Sequence, residues 1–522
     1  MLGLLDRSTQ LTDKKDEAPS AEPLTCGAAL QTTALAATLL FAHGQTTERT
    51  ITVAERLGRA LGVAVKVLPY WGELIIEIDG AAVSQIVPAK PLGVDMGRVL
   101  AVTRVVDQVC DGTLPAEVAQ SALMSAGRLP PASTPRFTLF AAIGAASLGI
   151  IYGALDVTSL LLIVASAAIG ALVRRGLSVF STNPLIQPLC AAFIAGVVAA
   201  VAGRLQTSNA ITLVALCPCM VLVPGPHILN GAIDLARTRI ALGIARLTYA
   251  AVIVILISAG LLFGFAAVGT SLPIDEPFPP VPLVIDVIAA GCAVASFGTF
   301  FSMPWRLLAF PIAAGMLAHA ARWALITVAG GSAVTGALVA CMLVSVIATP
   351  VVDRLRLPFA ALAFSAVVSM IPGFFLFNAA AGVVELVSIG PSAPVALLTS
   401  IATSCATAFL IIMAMTFGLI LPRMLFEHFV PPSVRTRHRH PTRRNAAKGS
   451  VTSKYIHTLD TALIITADTN SGYIQGLLDG IEFKQTAYAL DRDSRKAALA
   501  RFLKRASGSD QEGAEKERRL AA

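Results

Sequence analysis

The chain has 522 residues, of which 55% are hydrophobic and 14% charged, and its mean hydropathy of +0.73 excludes an ordinary soluble globular protein. The formal net charge is +8, but Lys and Arg concentrate between the apolar runs and in the C-terminal tail, a bias that orients membrane proteins. We therefore expect a lipid bilayer, and no nucleic acid, to be the partner of these charges.

The N-terminal part of the chain is predicted to stay in the cytoplasm. Residues 1–26 are polar and contain no basic segment followed by an apolar run, which predicts a disordered N-terminus rather than a signal peptide. Residues 27–130 have the pattern of a small α/β or α+β domain, which ends at a group of prolines. Periodicity predicts helices over 28–41, 51–61, 97–110 and 115–125, and strands over 63–68 and 73–78 joined by a turn at 69–72.

Beyond the prolines, about ten apolar stretches are long enough to cross roughly 30 Å of hydrocarbon as helices. They form a first membrane segment, residues 137–268, and a second, residues 281–423. A basic tail, residues 424–522, is predicted to be partly disordered and cytoplasmic. The predicted helices lie near residues 137–154, 157–173, 185–203, 208–225, 245–268, 281–301, 304–321, 329–349, 357–377 and 393–421.

Arginines between these helices predict the orientation in the bilayer. With a cytoplasmic N-terminus, every second connection carries arginine and falls inside, while the opposite connections are acidic, with Arg204 and Arg322 as exceptions. The chain is therefore predicted to be a multi-pass plasma-membrane protein with both termini in the cytoplasm. The inside connections contain Arg174, Arg175, Arg237, Arg239, Arg246, Arg306, Arg354 and Arg356.

An internal repeat links the two membrane segments. Val-Pro-Gly-Pro-His-Ile-Leu-Asn ends at Asn230, and Ile-Pro-Gly-Phe-Phe-Leu-Phe-Asn ends at Asn378, 148 residues later. The same offset places the first predicted membrane helix on the sixth, the second on the seventh and so on, and it places Arg174 on Arg322. Because five helices per half is an odd number, this predicts a 5+5 inverted repeat, a common architecture of secondary transporters. The alternative is a chance match of three residues.

Both copies of this octamer predict a broken membrane helix. Proline removes a helix hydrogen bond and glycine loosens the backbone, so a helix should end or break at each Pro-Gly pair. The freed backbone groups, with asparagines that cap the next helix, suit the carboxylate and ammonium of a zwitterion. Alternatively, each pair only ends a span before an interfacial amphipathic helix such as 228–244. The predicted substrate pathway contains Pro224, Gly225, Asn230, Pro372, Gly373 and Asn378.

Proton coupling requires a titratable group within the membrane, and the candidates are Asp286, His227, His319 and Glu385. Asp286 is the first choice because it lies inside the sixth predicted helix rather than in a connection. The alternative is a carboxylate exposed to water at the membrane boundary.

Other polar and cysteine residues are ambiguous or point to packing. Asn183 and Gln187 open the third predicted helix, where their amides suit either a polar path or a helix cap. Cys217 and Cys219 have no His or acidic partner at ligand spacing, so packing explains them better than a metal. The chain lacks a phosphate-binding Gly-Lys-Ser/Thr loop, which argues against an ATP-driven pump. We predict no catalytic residue, no metal site and no cofactor.

The order of the sequence motifs resembles a known family. Gly44-Gln-Thr-Thr47-Glu-Arg49 precedes an amphipathic helix that ends in Arg-Ala-Leu-Gly62-Val, and Val-Pro-Gly and Ile-Pro-Gly follow in the two membrane segments. In this order of parts, residues 27–423 resemble the threonine/serine exporter family.

The resemblance implies export of threonine and serine across a bacterial plasma membrane by an antiporter that the proton motive force drives. It also implies that Gly44, Thr47 and Arg49 are family positions of the cytoplasmic region. The family usually continues with a Val-Glu pair, whereas this chain has Thr50 and Ile51.

Two other functions stay open. Related two-component proteins resemble exporters of small dicarboxylates such as succinate, but a dicarboxylate site favours buried cations, and the middles of the predicted helices lack Lys and Arg. A membrane-anchored sensor or enzyme would show clustered His, Asp, Glu or Cys in the N-terminal region, where His43 is isolated and the acids are scattered. Whether the chain forms a homo-oligomer is also open.

Overall fold

A computed structural model describes residues 25–80, 83–181, 183–273 and 281–429, without the side chains of residues 427 and 428. All of these residues belong to one compact unit. The predictions for residues 1–24 and for the tail beyond residue 429 lie outside the described residues. The described chain is already helical at Cys26, and its last helix continues to Phe429, beyond the predicted end at residue 423.

Residues 25–129, which we call the N-terminal region, contain four helices and a three-stranded antiparallel sheet in the order β1-β2-β3. Thr25 and Asp95 cap the first and third helices by accepting hydrogen bonds from backbone N–H groups. Helices α1 and α2 cover one face of the sheet, where Phe41, Leu74 and Ile76 are fully buried. The elements are α1 (Cys26–Ala42), α2 (Thr47–Ala60), β1 (Val65–Tyr70), β2 (Gly72–Ile78), β3 (Ser84–Ala89), α3 (Met96–Cys110) and α4 (Ala116–Gly127).

The sheet differs from its prediction in two ways. Strand β1 includes Pro69 and Tyr70, and Tyr70 pairs with Glu73, so only two residues form the turn, with Gly72 at a φ of +92°. Strand β3 was not predicted, because it has few apolar residues and contains Pro88. The prolines lie in the two outer strands, where a missing backbone N–H is tolerated.

Twelve further helices follow in the described residues. Most are apolar on all sides, as expected of helices packed among others or facing lipid. The elements are α5 (Thr134–Ile151), α6 (Val157–Phe180), α7 (Ile186–Arg204), α8 (Ile211–Met220), α9 (Gly225–Ala236), α10 (Ile240–Val268), α11 (Leu283–Phe300), α12 (Trp305–Trp323, extended by a π-helical turn Ala324–Val328), α13 (Ala333–Leu355), α14 (Phe359–Val367, then a 3-10 turn Val368–Met370), α15 (Gly373–Ile389) and α16 (Val395–Phe429).

Among the described residues, nine helices are long and apolar enough to cross a bilayer, and a tenth crossing results if the bent pair α8–α9 counts as one. The predicted number of about ten is confirmed. The stretch predicted as one helix over 357–377 is instead interrupted before Pro372. Helix α6 runs on to Phe180, so Arg174 and Arg175 lie within it rather than in a connection.

The helix bounds repeat at nearly constant intervals. Helices α5 to α9 begin at residues 134, 157, 186, 211 and 225, and α11 to α15 begin at 283, 305, 333, 359 and 373, which are intervals of 147 to 149 residues. The last pair, α10 and α16, departs from this interval, because α15 has 17 residues where α9 has 12 and a 3-10 turn, Gly390–Ser392, follows it.

The N-terminal region packs against one end of the membrane helices. The Met96 N–H donates to the carbonyl of Phe301, 2.7 Å away, at the α11–α12 connection. Asp111 forms an ion pair with Arg356 at the α13–α14 connection, and Glu48 forms ion pairs at the α9–α10 connection. These three connections are among those whose arginines predicted a common side of the membrane.

Candidate functional site

Helices α9 and α15 each begin at a Pro-Gly turn, Pro224–Gly225 and Pro372–Gly373. The two prolines have nearly the same backbone angles, with φ of −77° and −76° and ψ of 61° and 49°. In each turn the glycine N–H donates to the carbonyl two residues earlier, at 2.8 Å and 2.7 Å, which forms an inverse γ-turn. The helical hydrogen-bond ladder is broken at both places, and α9 is bent by 64° from α8.

The two Pro-Gly turns pack against each other reciprocally. A Cβ on Gly225 would lie 2.4 Å from the Ile371 side chain and 2.6 Å from that of Val368. A Cβ on Gly373 would lie 3.0 Å from the Met220 side chain, and Met220 precedes Val368 by 148 residues. Each glycine therefore leaves room for side chains of the other half, and the contact requires both helix breaks at the same place.

A row of three buried polar side chains lies beside the second Pro-Gly turn, Pro372–Gly373. Asp286 is in the first turn of α11, His319 is in α12, and Ser369 is in the 3-10 turn before Pro372. His319 Nδ1 is 3.3 Å from Asp286 Oδ2, and its Nε2 is 3.1 Å from Ser369 Oγ. The three residues are 4%, 1% and 5% exposed. We call them the Asp-His-Ser row; the imidazole joins a carboxylate to a hydroxyl at the helix break.

A small cavity opens beside this row. Its lining includes His319, Ser369 and Pro372 together with Tyr152 and Arg322. In this conformation the cavity has room for about one water molecule. The side chains around it offer a cation, an imidazole and two hydroxyl groups.

The first broken helix is attached to the N-terminal region. Gly44, at a φ of +91°, exposes its carbonyl to the Asn230 side-chain amide, which donates to it at 3.3 Å. The Thr47 hydroxyl donates to Asp234 Oδ2 at 2.9 Å. Asn230 and Asp234 are one helical turn apart on the same face of α9. The structure thus brings Gly44 and Thr47 of the N-terminal motif together with Asn230 of the predicted pathway.

Ion pairs surround this attachment. Arg246 of α10 is 2% exposed, and its Nε is 3.4 Å from Asp234 Oδ2. Glu48 pairs with Arg239 at 2.6 Å and with Arg237 at 3.0 Å. Burial raises the pKa of Glu48, but the hydrogen bond from Arg239 and the charge of Arg237 outweigh this effect and hold the pKa below its ordinary value. Glu48 therefore stays ionised and keeps α2 attached to the α9–α10 connection.

Two other predicted residues lie near this attachment. Arg49 is half-buried on α2; burial, and then the charges of Arg423 and Arg56, lower its pKa. His227 is buried in α9, where its ring contacts that of Tyr249 edge-on with 5.2 Å between centroids. His227 does not belong to the Asp-His-Ser row.

The structure does not bring the remaining predicted residues into these contacts. Asn183 is exposed and its Oδ1 accepts a hydrogen bond from the Leu185 N–H, which is a turn cap before α7. Gln187 and Asn378 are half-buried, and Glu385 is exposed near the end of α15. Within the described ranges, none of these three side chains forms a hydrogen bond or ion pair.

Sequence reasoning missed three residues of the site. Asp234 could have been found, because it is an acid inside an apolar helix and follows Asn230 by one turn. Ser369 and Tyr152 have no comparable signal, since a hydroxyl costs little in an apolar helix and their neighbours are apolar. They reach the cavity only through the packing of distant helices.

Two segments of the chain match known protein families. A family described as "Putative threonine/serine exporter" matches residues 31–268, and one described as "Threonine/Serine exporter, ThrE" matches residues 286–425. The chain belongs to the threonine/serine exporter family. The comparisons with curated proteins and with solved structures gave no match. Family membership indicates a transport role rather than catalysis, and the boundary between the two matched segments falls at the α10–α11 connection.

We expect Thr47→Val to weaken the attachment of the N-terminal region by about 1–3 kcal/mol, because it removes a hydrogen bond to a buried carboxylate. Limited proteolysis of the N-terminal region in the purified protein measures this loss. The matched control is Thr52→Val on the same helix, where an exposed hydroxyl bonds only the carbonyl of Glu48. Equal proteolysis rates for the two variants would contradict the role of the Thr47–Asp234 bond.

Proposed function

We propose that the protein is a secondary active exporter of threonine and serine, driven by the proton motive force. The observation that carries this proposal is the reciprocal contact of the two Pro-Gly turns beside the Asp-His-Ser row. Broken helices supply backbone groups for a substrate inside the membrane, and buried titratable groups there mark proton pathways. Membership of the threonine/serine exporter family supports the choice of substrate.

The proposed substrate pathway runs through the two Pro-Gly turns. Positive ends of α9 and α15 at Gly225 and Gly373 favour a carboxylate, and Asn230 and Asn378 lie one turn or more into these helices. Asn183 and Gln187, at the start of α7, are proposed to line its polar entrance.

The direct test is efflux from bacterial cells loaded with threonine-containing dipeptides. We expect threonine and serine to leave cells that contain this protein several-fold faster than cells that lack it, since a carrier replaces slow leakage of a zwitterion. Succinate efflux from the same cells is the comparison. Faster release of succinate but not of threonine would refute the amino-acid assignment.

We further propose a 5+5 inverted repeat in a bacterial plasma membrane, with a cytoplasmic N-terminal domain (27–130) and membrane segments 137–268 and 281–423. The repeated helix bounds support this proposal, as do the contacts of the N-terminal region with the arginine-bearing connections.

Accessibility tags after residue 20, within 269–280 and after residue 440 should report inside, outside and inside. The expectation follows from an odd number of crossings in each half and from the bias of arginine between them. Tags in the connections after residues 153 and 205 serve as controls on the outer side. A cytoplasmic signal from the 269–280 tag would overturn the inverted repeat.

The Asp-His-Ser row is proposed to couple proton movement to the helix break. A neutral His319 accepts a hydrogen bond from Ser369 at Nε2 while Asp286 holds its Nδ1–H; a protonated His319 must donate at both nitrogens. Proton binding therefore reverses the hydrogen bond at Ser369, directly before Pro372. His227 and Glu385 are the other titratable candidates, but they lack such a connection to a turn.

Asp286→Asn should lower threonine efflux driven by a pH gradient by about tenfold or more, while exchange without a gradient is largely kept. The amide cannot stabilise a protonated His319 as the carboxylate does. Vesicles with and without an imposed pH gradient measure the two activities. Asp156→Asn is the control, because an asparagine there still caps α6. Undiminished gradient-driven transport by Asp286→Asn would remove Asp286 from the mechanism.

A further inference from the structure

The cavity beside the Asp-His-Ser row contains an arginine that has no acidic partner among the residues that the structure describes. Arg322 is half-buried near the end of α12 and lines the cavity with His319, Ser369 and Tyr152. Throughout the described ranges, no carboxylate lies within ion-pair distance of its guanidinium. An unpaired cation inside a helix of this hydropathy is costly. Its position against a polar cavity therefore calls for an anionic occupant.

The first half of the chain provides an internal comparison. A second cavity is lined by Arg174, Ala171, Val221 and Phe300. These four positions are 148 residues away from Arg322, His319, Ser369 and Tyr152 respectively. The arginine is common to both cavities, but the imidazole and both hydroxyls are replaced by apolar groups. The cavity of Arg322 therefore has an imidazole and two hydroxyl groups at positions where the cavity of Arg174, whose lining includes one hydroxyl, that of Ser166, has apolar groups.

We propose that Arg322 binds the carboxylate of an α-amino acid in this cavity, and that His319 Nε2 and Ser369 Oγ receive its ammonium group. This inference rests on the proposed exporter function and names the substrate site within it. A guanidinium can bind a carboxylate through two parallel hydrogen bonds. The hydroxyl of Tyr152 is then available for the side-chain hydroxyl of threonine or serine.

The arrangement favours a zwitterion over a dicarboxylate. The cavity offers one cation, and His319 is held at its other nitrogen by the Asp286 carboxylate. A second carboxylate of the ligand would approach this acid and be repelled. An ammonium group can donate only to a neutral His319, because a protonated imidazole has no acceptor. Substrate and proton therefore compete for the same nitrogen, which is the requirement for antiport.

The cavity must widen to hold an amino acid, since it has room for about one water molecule in this conformation. Alternating access supplies such a change, because opening toward either side separates the helices around the site. Binding is therefore measured on the purified full-length chain, which samples the open states.

The test compares the dissociation constants of L-threonine, L-threoninamide and succinate for the wild type, Arg322→Gln and Arg322→Lys by calorimetry. We expect Arg322→Gln to weaken threonine binding by about tenfold or more, through loss of charge-assisted hydrogen bonds. Arg322→Lys should weaken it less, and threoninamide, which has no carboxylate, should bind the wild type poorly. Arg174→Gln, the equivalent change in the cavity of the first half, is the matched control.

Several outcomes would overturn the inference. It fails if Arg322→Gln, shown to be folded by its thermal unfolding, binds threonine as the wild type does. It fails equally if threoninamide binds the wild type as tightly as threonine, if succinate binds more tightly than threonine, or if the wild type binds none of the three. Threonine efflux by the wild type is measured in parallel. Carboxylate-dependent binding without efflux would refute the exporter function and leave the site standing, whereas efflux with unchanged Arg322→Gln binding would refute the site alone.

Discussion

The arrangement of helices α5 to α16 depends on the contact between the two Pro-Gly turns. A Cβ on Gly225 would overlap side chains of the other half and a Cβ on Gly373 would make a tight contact with them, so the two broken helices approach closely at their glycines. Their backbone angles and their inverse γ-turns agree closely. Packed cores have discrete arrangements rather than continuous ones. A displacement of one turn therefore cannot occur without a response of the other, which is the property that an alternating carrier requires.

Polar groups are distributed unequally around this contact. The second turn has the Asp-His-Ser row, whose hydrogen bonds depend on the protonation of one imidazole. The first turn leads into α9, whose polar side chains are bonded to the N-terminal region through Gly44 and Thr47. A buried polar group without a partner costs free energy, so both sets of bonds restrict where the chain can move. The two halves share the backbone conformation of the Pro-Gly turn and differ in the polar contacts beside it.

Hydropathy and proline chemistry predicted much of this fold, because ten long apolar stretches and two Pro-Gly pairs are local signals. Asp286 and His319 were recognised individually, since a titratable residue in an apolar helix is costly wherever it lies. Their contact with Ser369 was not predictable, because it joins three helices whose packing no local pattern encodes. The strand β3 was missed for a different reason: an edge strand with proline and few apolar residues lacks the alternation that identifies strands.

The two broken helices also differ in how firmly they are held. Displacing α9 from the N-terminal region would break the bonds of Asn230 and Asp234 and leave buried polar groups without partners. The side chains of α15 make no hydrogen bond to the N-terminal region in the part of the chain that the structure describes, and Asn378 is half-buried. Movement of α15 thus costs mainly apolar contacts, which re-form against other apolar surfaces. The free-energy cost of displacing the helix that follows the turn is consequently lower for α15 than for α9.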